Sequence, residues 1–285
     1  MKITFLGMNC DAIVLLKILE EKISANYLGI SSNARDLREY TGDKILFRLQ
    51  PSIDAAVSRI LPKIEKRTKD ADIVFLFSEI CGKGKEDIIC DIAEELENET
   101  VVSVVWYPKQ KHGQRGISNT LERLGECSAV VAIPQTTHSK LPELVPKYVE
   151  QILRMYQLPY VNEEADIGKR VISNGGLLHL IQEDLEIAYL NHRAEGLPWS
   201  ISSICYNRDL DTGLDCGCNA LLHLTVFQET DPSIIQYICE YVFSRIGEEG
   251  ELNFSITVTP EPQDFVGVDL LVTDVVTLKE SQKWF

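Results

Sequence analysis

Two hydrophobic periods alternate along the first half of the chain. Residues 2–7 (KITFLG) form a short, β-prone apolar run, and 12–23 (AIVLLKILEEKI) place apolar groups at helical spacing. A strand is expected at 27–31 (YLGIS). A further run at 45–49 (ILFRL) leads into PSID, where Pro51 suits a first helical turn, and a helix reaching Arg67. Residues 72–78 (DIVFLFS) are almost continuously apolar, the pattern of a central strand covered on both faces. A helix over 86–97, a strand at 101–107, a helix near 117–125 and a strand at 129–133 follow. Strands alternating with helices in this way predict an α/β fold built on a doubly wound, mainly parallel sheet.

The rhythm changes after Pro134. Helical spacing governs 142–158, a polar stretch NEEADIGKR follows, and the segment 172–181 (ISNGGLLHLI) leads to a helix expected at 182–193. The last third predicts a strand at 220–227, a helix at 232–246 opened by Asp231 with Pro232 inside it, and strands at 253–259 and 267–276. The expected organisation is a nucleotide-binding type of domain over 1–141, a connecting helix and linker over 142–171, and a smaller α/β domain over 172–285. The helix at 142–158 would act as the hinge.

Composition narrows the function. A length of 285 residues, 45% apolar and 25% charged, describes a folded protein with a sizeable core. With 28 basic against 43 acidic residues the net charge is −15, which disfavours nucleic acid and anionic membranes as main partners. No signal-peptide pattern opens the chain and no apolar run is long enough for a membrane span, so the cytoplasm is the expected location. Eight cysteines without a secretion signal read as free thiols. Cys216 and Cys218 form a C-x-C pair with no second pair at ligand spacing, and no metal site is expected from them. His138, His179, His192 and His223 lie in no recognisable nucleophile arrangement and read as structural.

Three loops follow predicted parallel strands, where ligands of open sheets collect. They are GMNCDA (7–12), CGKGKED (81–87) and PKQKHGQRG (108–116). Gly82 and Gly84 would let backbone approach an anion, with Lys83 and Lys85 adding charge beside a helix N-terminus. Glu86 and Asp87 would also stabilise that helix end with no ligand present, and because a lone Gly-rich loop is a weak signal the turn with a cap is the favoured reading of the loop. Cys81 opens this loop, where a thiol beside two lysines would have a lowered pKa. Lys109, Lys111, His112 and Arg115 form a basic cluster in an acidic chain, or else a solvated surface loop.

Taken in order, these segments resemble the tubulin/FtsZ superfamily, and FtsZ in particular, along nearly the whole chain. ADIVFLFSEICGKGKED resembles that family's strand followed by its GGGTGTG signature; Gly82 keeps a signature glycine, and Lys83 and Lys85 stand at two others. GMNCDA is similar to a shortened first glycine loop, with Asp11 at an asparagine position, and SSNARDL, carrying Asn33 and Ala34, is similar to NTDAQAL. Residues 108–116 resemble PFTFEGRKR, with His112 in place of the ribose-contacting glutamate and Gln114 in place of the arginine beside Arg115. IPQ resembles IPN, which puts Gln135 where an asparagine contacts guanine. ISNGGLLHLIQEDL resembles ITKPGLINLDFADV, the loop one FtsZ subunit inserts into its neighbour's site; His179 replaces its asparagine, Ile181 its first aspartate, and Asp184 keeps the second. Carboxylates there orient the attacking water.

The resemblance implies a divergent, cytoplasmic FtsZ-like protein with a degenerate GTP site. The implied ligand contacts are Gly7, Asn9, Cys10, Asp11, Asn33, Ala34, Cys81, Gly82, Lys83, Gly84, Lys85, His112, Arg115 and Gln135, with Asp184 as the catalytic carboxylate. GTP or GDP would bind weakly, with Mg only alongside nucleotide. The partner would be the chain itself or an FtsZ-family protein, without the membrane-tethering peptide of FtsZ. Two alternatives stand beside this: an active, polymer-forming GTPase, and an enzyme for another anionic ligand held by Lys83, Lys85 and Arg115.

Overall fold

In the computed structural model, the described residues are 1–48, 52–80, 87–98, 100–108, 114–134, 140–161, 166–186, 219–246 and 250–274. They fall into two compact units, each described by itself. The first comprises Met1–Val149 with Ile172–Leu177, and the second Glu150–Val171 with Leu178–Val275.

Unit 1 opens with β1 (Ile3–Met8), α1 (Cys10–Glu20), β2 (Asn26–Ser31), β3 (Asp43–Leu46) and α2 (Ile53–Thr68). It continues with β4 (Ile73–Glu79), α3 (Asp87–Glu95), β5 (Val101–Tyr107), α4 (Gln114–Cys127) and β6 (Ala129–Pro134). The strands lie side by side as β3-β2-β1-β4-β5-β6, every pair parallel. Helices cover both faces, which is why β1 and β4 read as apolar runs without alternation. On one face Phe5, Phe75 and Phe77 are fully buried, with Phe5 and Phe75 centroids 5.2 Å apart, and α1 lies beside them over Gly7. On the other, Leu6, Val74 and Leu76 meet Ile60 and Ile64 of α2, Ile89 and Ile92 of α3, and Leu124 of α4.

Local chemistry sets the helix starts. Ser52 caps α2 by accepting from the Ala55 N–H at 3.2 Å. Pro51, expected in this first turn, lies outside the described residues.

α5 (Leu141–Gln157) bears the unit boundary, and α6 (Ile167–Ser173) follows it. This helix corrects the reading of NEEADIGKR as a mere linker, since its last four residues begin a helical turn. β7 (Gly176–Glu186) is the second correction: 182–186 is strand, not the start of the expected helix, and 187–193 lies outside the described residues. Gly176 and Leu177 pair in parallel with Ala129 and Val130 inside unit 1. The remainder of β7 belongs to unit 2, whose strand order is β7-β10-β8-β9. β8 (Asn219–Phe227), α7 (Pro232–Arg245) and β9 (Leu252–Thr259) make a parallel strand-helix-strand unit, and β10 (Phe265–Asp274) runs antiparallel to β8. Asp231 caps α7 through the Ser233 N–H at 2.9 Å, with Pro232 at the first helical position, as the sequence predicts. The unit's apolar core joins Ile234, Ile238 and Val242 of α7 to Leu222, Leu224, Val268 and Leu270.

Candidate functional site

A parallel sheet offers a ligand site where the strand order turns back. In unit 1 the chain moves outward from β1 to β2 and β3, then resumes on the other side of β1 with β4, β5 and β6. The switch point is between β1 and β4, and the loops after these strands are those of GMNCDA and CGKGKED. Ser78, near the end of β4, donates from Oγ to the Met8 carbonyl at 3.4 Å, tying the two strand ends together. The loops after β2, β5 and β6 leave from the same edge of the sheet, as the registers Met8↔Ile30 and Tyr107↔Pro134 require.

Gly7, Asn9, Cys10, Asp11, Asn33, Ala34 and Asp184 lie within the described residues. Cys81, Gly82, Lys83, Gly84, Lys85, His112 and Gln135 lie outside them, as does the side chain of Arg115, whose backbone is in the first turn of α4. Cys216 and Cys218 are also outside. Among the described residues no group of three His, Cys, Asp or Glu could hold a metal.

Gly7 serves packing. A Cβ there would sit 2.8 Å from Leu16 Cδ1 and 3.1 Å from the Ala12 carbonyl, so its absence lets α1 lie directly on β1. Asn9 caps the same helix: its Oδ1 accepts from the Ala12 N–H at 2.9 Å and its carbonyl from the Ile13 N–H at 3.0 Å. To do so it adopts φ 132° and ψ 178°, a backbone region essentially reserved for glycine. Replacing Asn9 by Gly is expected to stabilise unit 1 by about 1 kcal/mol, since relief of about 1–3 kcal/mol of strain exceeds the lost cap and the added chain entropy. Asn9→Ala should instead cost about 1–2 kcal/mol, because the strain remains and the cap goes. Urea midpoints of the two variants, shifted in opposite directions from the parent, are the readout.

The loop after β2 is bound up with itself. Asp36 accepts from Ser31 Oγ at 2.7 Å and from Asn33 Nδ2 at 3.0 Å, while Asn33 Oδ1 accepts from the Arg35 N–H at 3.1 Å. Cys10, exposed at the start of α1, has its thiol pushed up, first by partial desolvation and then by the carboxylates of Asp36 and Asp11, against the smaller pull of Lys17.

Asp184 belongs to unit 2. Its side chain is exposed on β7, with Oδ1 3.7 Å from where a Cβ of Gly267 would be. Its charge is felt at Asp269 of β10, which is 5% exposed and bonded at 2.5 Å to Arg154 of α5. Burial pushes the Asp269 carboxyl up, Arg154 draws it down and Asp184 raises it again. Opposite Asp269, on β8, is His223, 3% exposed and with no hydrogen-bond partner for Nδ1 among the described residues. Gln151 of α5, equally buried, donates from Nε2 to the Ile181 carbonyl at 2.6 Å. Asn253 and Ser255 extend this buried polar face along β9. Sequence reading missed it, although His223 and Asp269 stand as the ionisable breaks in the runs ALLHLTVF and VGVDLLV.

Burial lowers the His223 pKa first, Arg154 lowers it further, and a hydrogen bond to the Ser255 backbone pushes the other way. A histidine held below its unfolded value leaves the unfolded chain binding more protons, so its contribution is full above about pH 6.5 and is lost as pH falls through the folded value. The contribution of His223 should therefore be smaller at pH 5.5 than at 7.5, and paired denaturation curves should show His223→Leu losing less stability than the parent between those two values. An undiminished slope in the variant would place the titration elsewhere.

No protein-family model matches the chain. The cell division protein FtsZ 2 of Pyrococcus furiosus is 24% identical over 234 residues, which cover 72% of this chain and 55% of that protein. The chain thus spans little more than half of that relative's length. Among solved structures, an FtsZ point mutant from M. jannaschii superposes with a TM-score of 0.70 at 20% identity, covering 96% of this chain and 91% of that one. The chain has the tubulin/FtsZ superfamily fold. TubZ of Bacillus thuringiensis serovar israelensis, solved as GDP-form protofilaments, superposes with a TM-score of 0.71 at 9% identity over 99% of this chain and 88% of that one. Similarity this even across such low identities resides in the arrangement of strands and helices, so the FtsZ-like architecture does not itself fix what the switch-point loops bind.

Proposed function

We propose that this chain is an FtsZ-like cytoskeletal protein of the cell-division type, which acts in the cytoplasm by assembling with itself or with an FtsZ-family protein. What supports the reading is the extent of the likeness: almost the whole chain superposes on a protein solved as protofilaments. Guanine nucleotide, GTP or GDP, would lie over the switch point between β1 and β4. Asn9, Cys10 and Asp11 would flank it on one side and residues 81–85 on the other, with Asn33, Ala34, His112, Arg115 and Gln135 around it, and Mg entering only with nucleotide. Binding is weak in this reading, because the described loops bond to themselves and lysines replace signature glycines; each lost backbone contact costs about 1 kcal/mol.

Pelleting and light scattering of the purified chain, alone and with polymerising FtsZ, are the test, with and without GTP and Mg. Concentration-dependent assembly, or a changed FtsZ polymer mass, is expected. A chain that neither pellets nor alters FtsZ polymer is not a filament component. One observation favours the second reading, an active GTPase: Asp184 is exposed. Phosphate release rising more than linearly with protein concentration, and lost in Asp184→Ala, would replace the first reading with that one.

A further inference from the structure

We infer that Asp11 and Asp36, together with the closed cap of Asn9, exclude phosphate from the β1 side of the switch point. Weak nucleotide binding is then imposed by this chain's own carboxylates and not only by missing glycines. The inference rests on the proposed reading of the switch point as a guanine-nucleotide site.

The N-terminus of a helix attracts an anion through unsatisfied N–H groups and the positive end of its dipole. At α1 one of the terminal N–H groups and the dipole already have partners in the chain. The Ala12 N–H is taken by Asn9 Oδ1 and the Ile13 N–H by the Asn9 carbonyl. Asp11 stands in the first turn, where its carboxylate faces the positive end of the dipole. Across the loop, Asp36 is held in place through both carboxylate oxygens, by Ser31 Oγ and Asn33 Nδ2, so it does not swing aside cheaply. Cys10 samples the balance at this point: Asp36 and Asp11 both act on its thiol more strongly than Lys17 does. A phosphate brought to the first turn of α1 would meet the carboxylate of Asp11 in that turn, the held carboxylate of Asp36, and the Ala12 N–H already spent. The amide of Asn33 is partly engaged as well: one Nδ2 hydrogen serves Asp36 and its Oδ1 accepts from the Arg35 N–H.

The inference predicts a gain of binding. The full chain is titrated with fluorescent GDP at low salt, with chelator present so that no divalent cation bridges carboxylate to phosphate. Asp11→Asn and Asp36→Asn are each expected to tighten the dissociation constant about three- to tenfold, and the double variant more, because each removes one like charge from the β1 side of the switch point. The gain should shrink in about 0.5 M salt, where screening is short-ranged. Glu65→Gln, exposed on α2, changes net charge equally and should leave binding as in the parent. Thermal unfolding checks that the variants fold; Asp11→Asn disturbs none of the Asp36 bonds and carries the test if Asp36→Asn unfolds.

Unchanged or weaker binding in the neutralised variants overturns the inference, as does a gain no larger than that of Glu65→Gln or binding undetectable in every form. A parent that already binds GDP at submicromolar concentration overturns the weak-binding reading instead, and the variants still decide the role of the carboxylates. The two failures are therefore distinguishable.

Discussion

Arg154→Met is expected to destabilise unit 2 by about 3 kcal/mol at neutral pH. Asp269 is 7% exposed at its side chain and Arg154 is the cation beside it, so removing the guanidinium leaves a buried carboxylate without its counter-charge, a loss of about 3–5 kcal/mol for fully buried pairs. Arg154 is itself 41% exposed, which places the effect at the lower end, since water screens part of the pair. The pH dependence identifies the cause. The folded Asp269 carboxyl titrates above its unfolded value, so its contribution is full below about pH 3.8 and declines as pH rises through the folded value. Loss of Arg154 raises that carboxyl further, so variant and parent should converge as the medium is acidified towards pH 4. Adding Asp269→Asn to Arg154→Met should recover most of the neutral-pH loss. A deficit that is constant with pH, or untouched by the second substitution, would show that Arg154 acts through the packing of its stem.

Gly168→Ala is the second large effect, with an expected cost of about 3 kcal/mol. On intrinsic propensity alone the change would favour α6 by about 1 kcal/mol. Against this, the new Cβ would overlap the Met155 carbonyl oxygen and stand 3.1 Å from that of Tyr156. These are backbone atoms near the end of α5 and have no rotamer to yield. The Met155 carbonyl also accepts from the Tyr160 hydroxyl at 2.8 Å, a bond that any retreat of α5 would stretch. Steric cost outweighs propensity. A urea midpoint equal to or above that of the parent would mean that α6 moves off α5 freely.

Much of the fold is legible in the sequence because its signals are local. The run IVFLFS announces a strand buried on both faces, and Asp231 followed by Pro232 announces the start of α7. Residues 182–186 (QEDLE) mislead because Gln, Glu and Leu are good helix formers, yet here they extend β7 beside β10; neighbouring-strand pairing overrides propensity. α6 is short and begins in a polar stretch, so its periodicity is too brief to read. The close approach that holds it depends on what Gly168 lacks.

Site legibility divides in the same way. Strand order places the loops after β1 and β4 at the switch point; the alternation of elements predicts a doubly wound parallel sheet but not that order. How the side chains in those loops are used is not written in spacing. Asn9 turns back on Ala12 at a backbone φ of 132°, and Asn33 spends its side chain on Asp36 within its own loop; neither use follows from the spacing of residue types.

β7 has a consequence for the making of the molecule. Unit 1 is not an uninterrupted length of chain: Gly176 and Leu177 lie along β6, and the buried Thr100 hydroxyl shares a 2.5 Å hydrogen bond with that of Ser173. During synthesis the first unit thus waits for residues that emerge after the second has begun at Glu150. Its unfinished β6 edge is exposed to chaperones for that interval, and a gene fragment cut at the unit boundary would inherit the same open edge permanently.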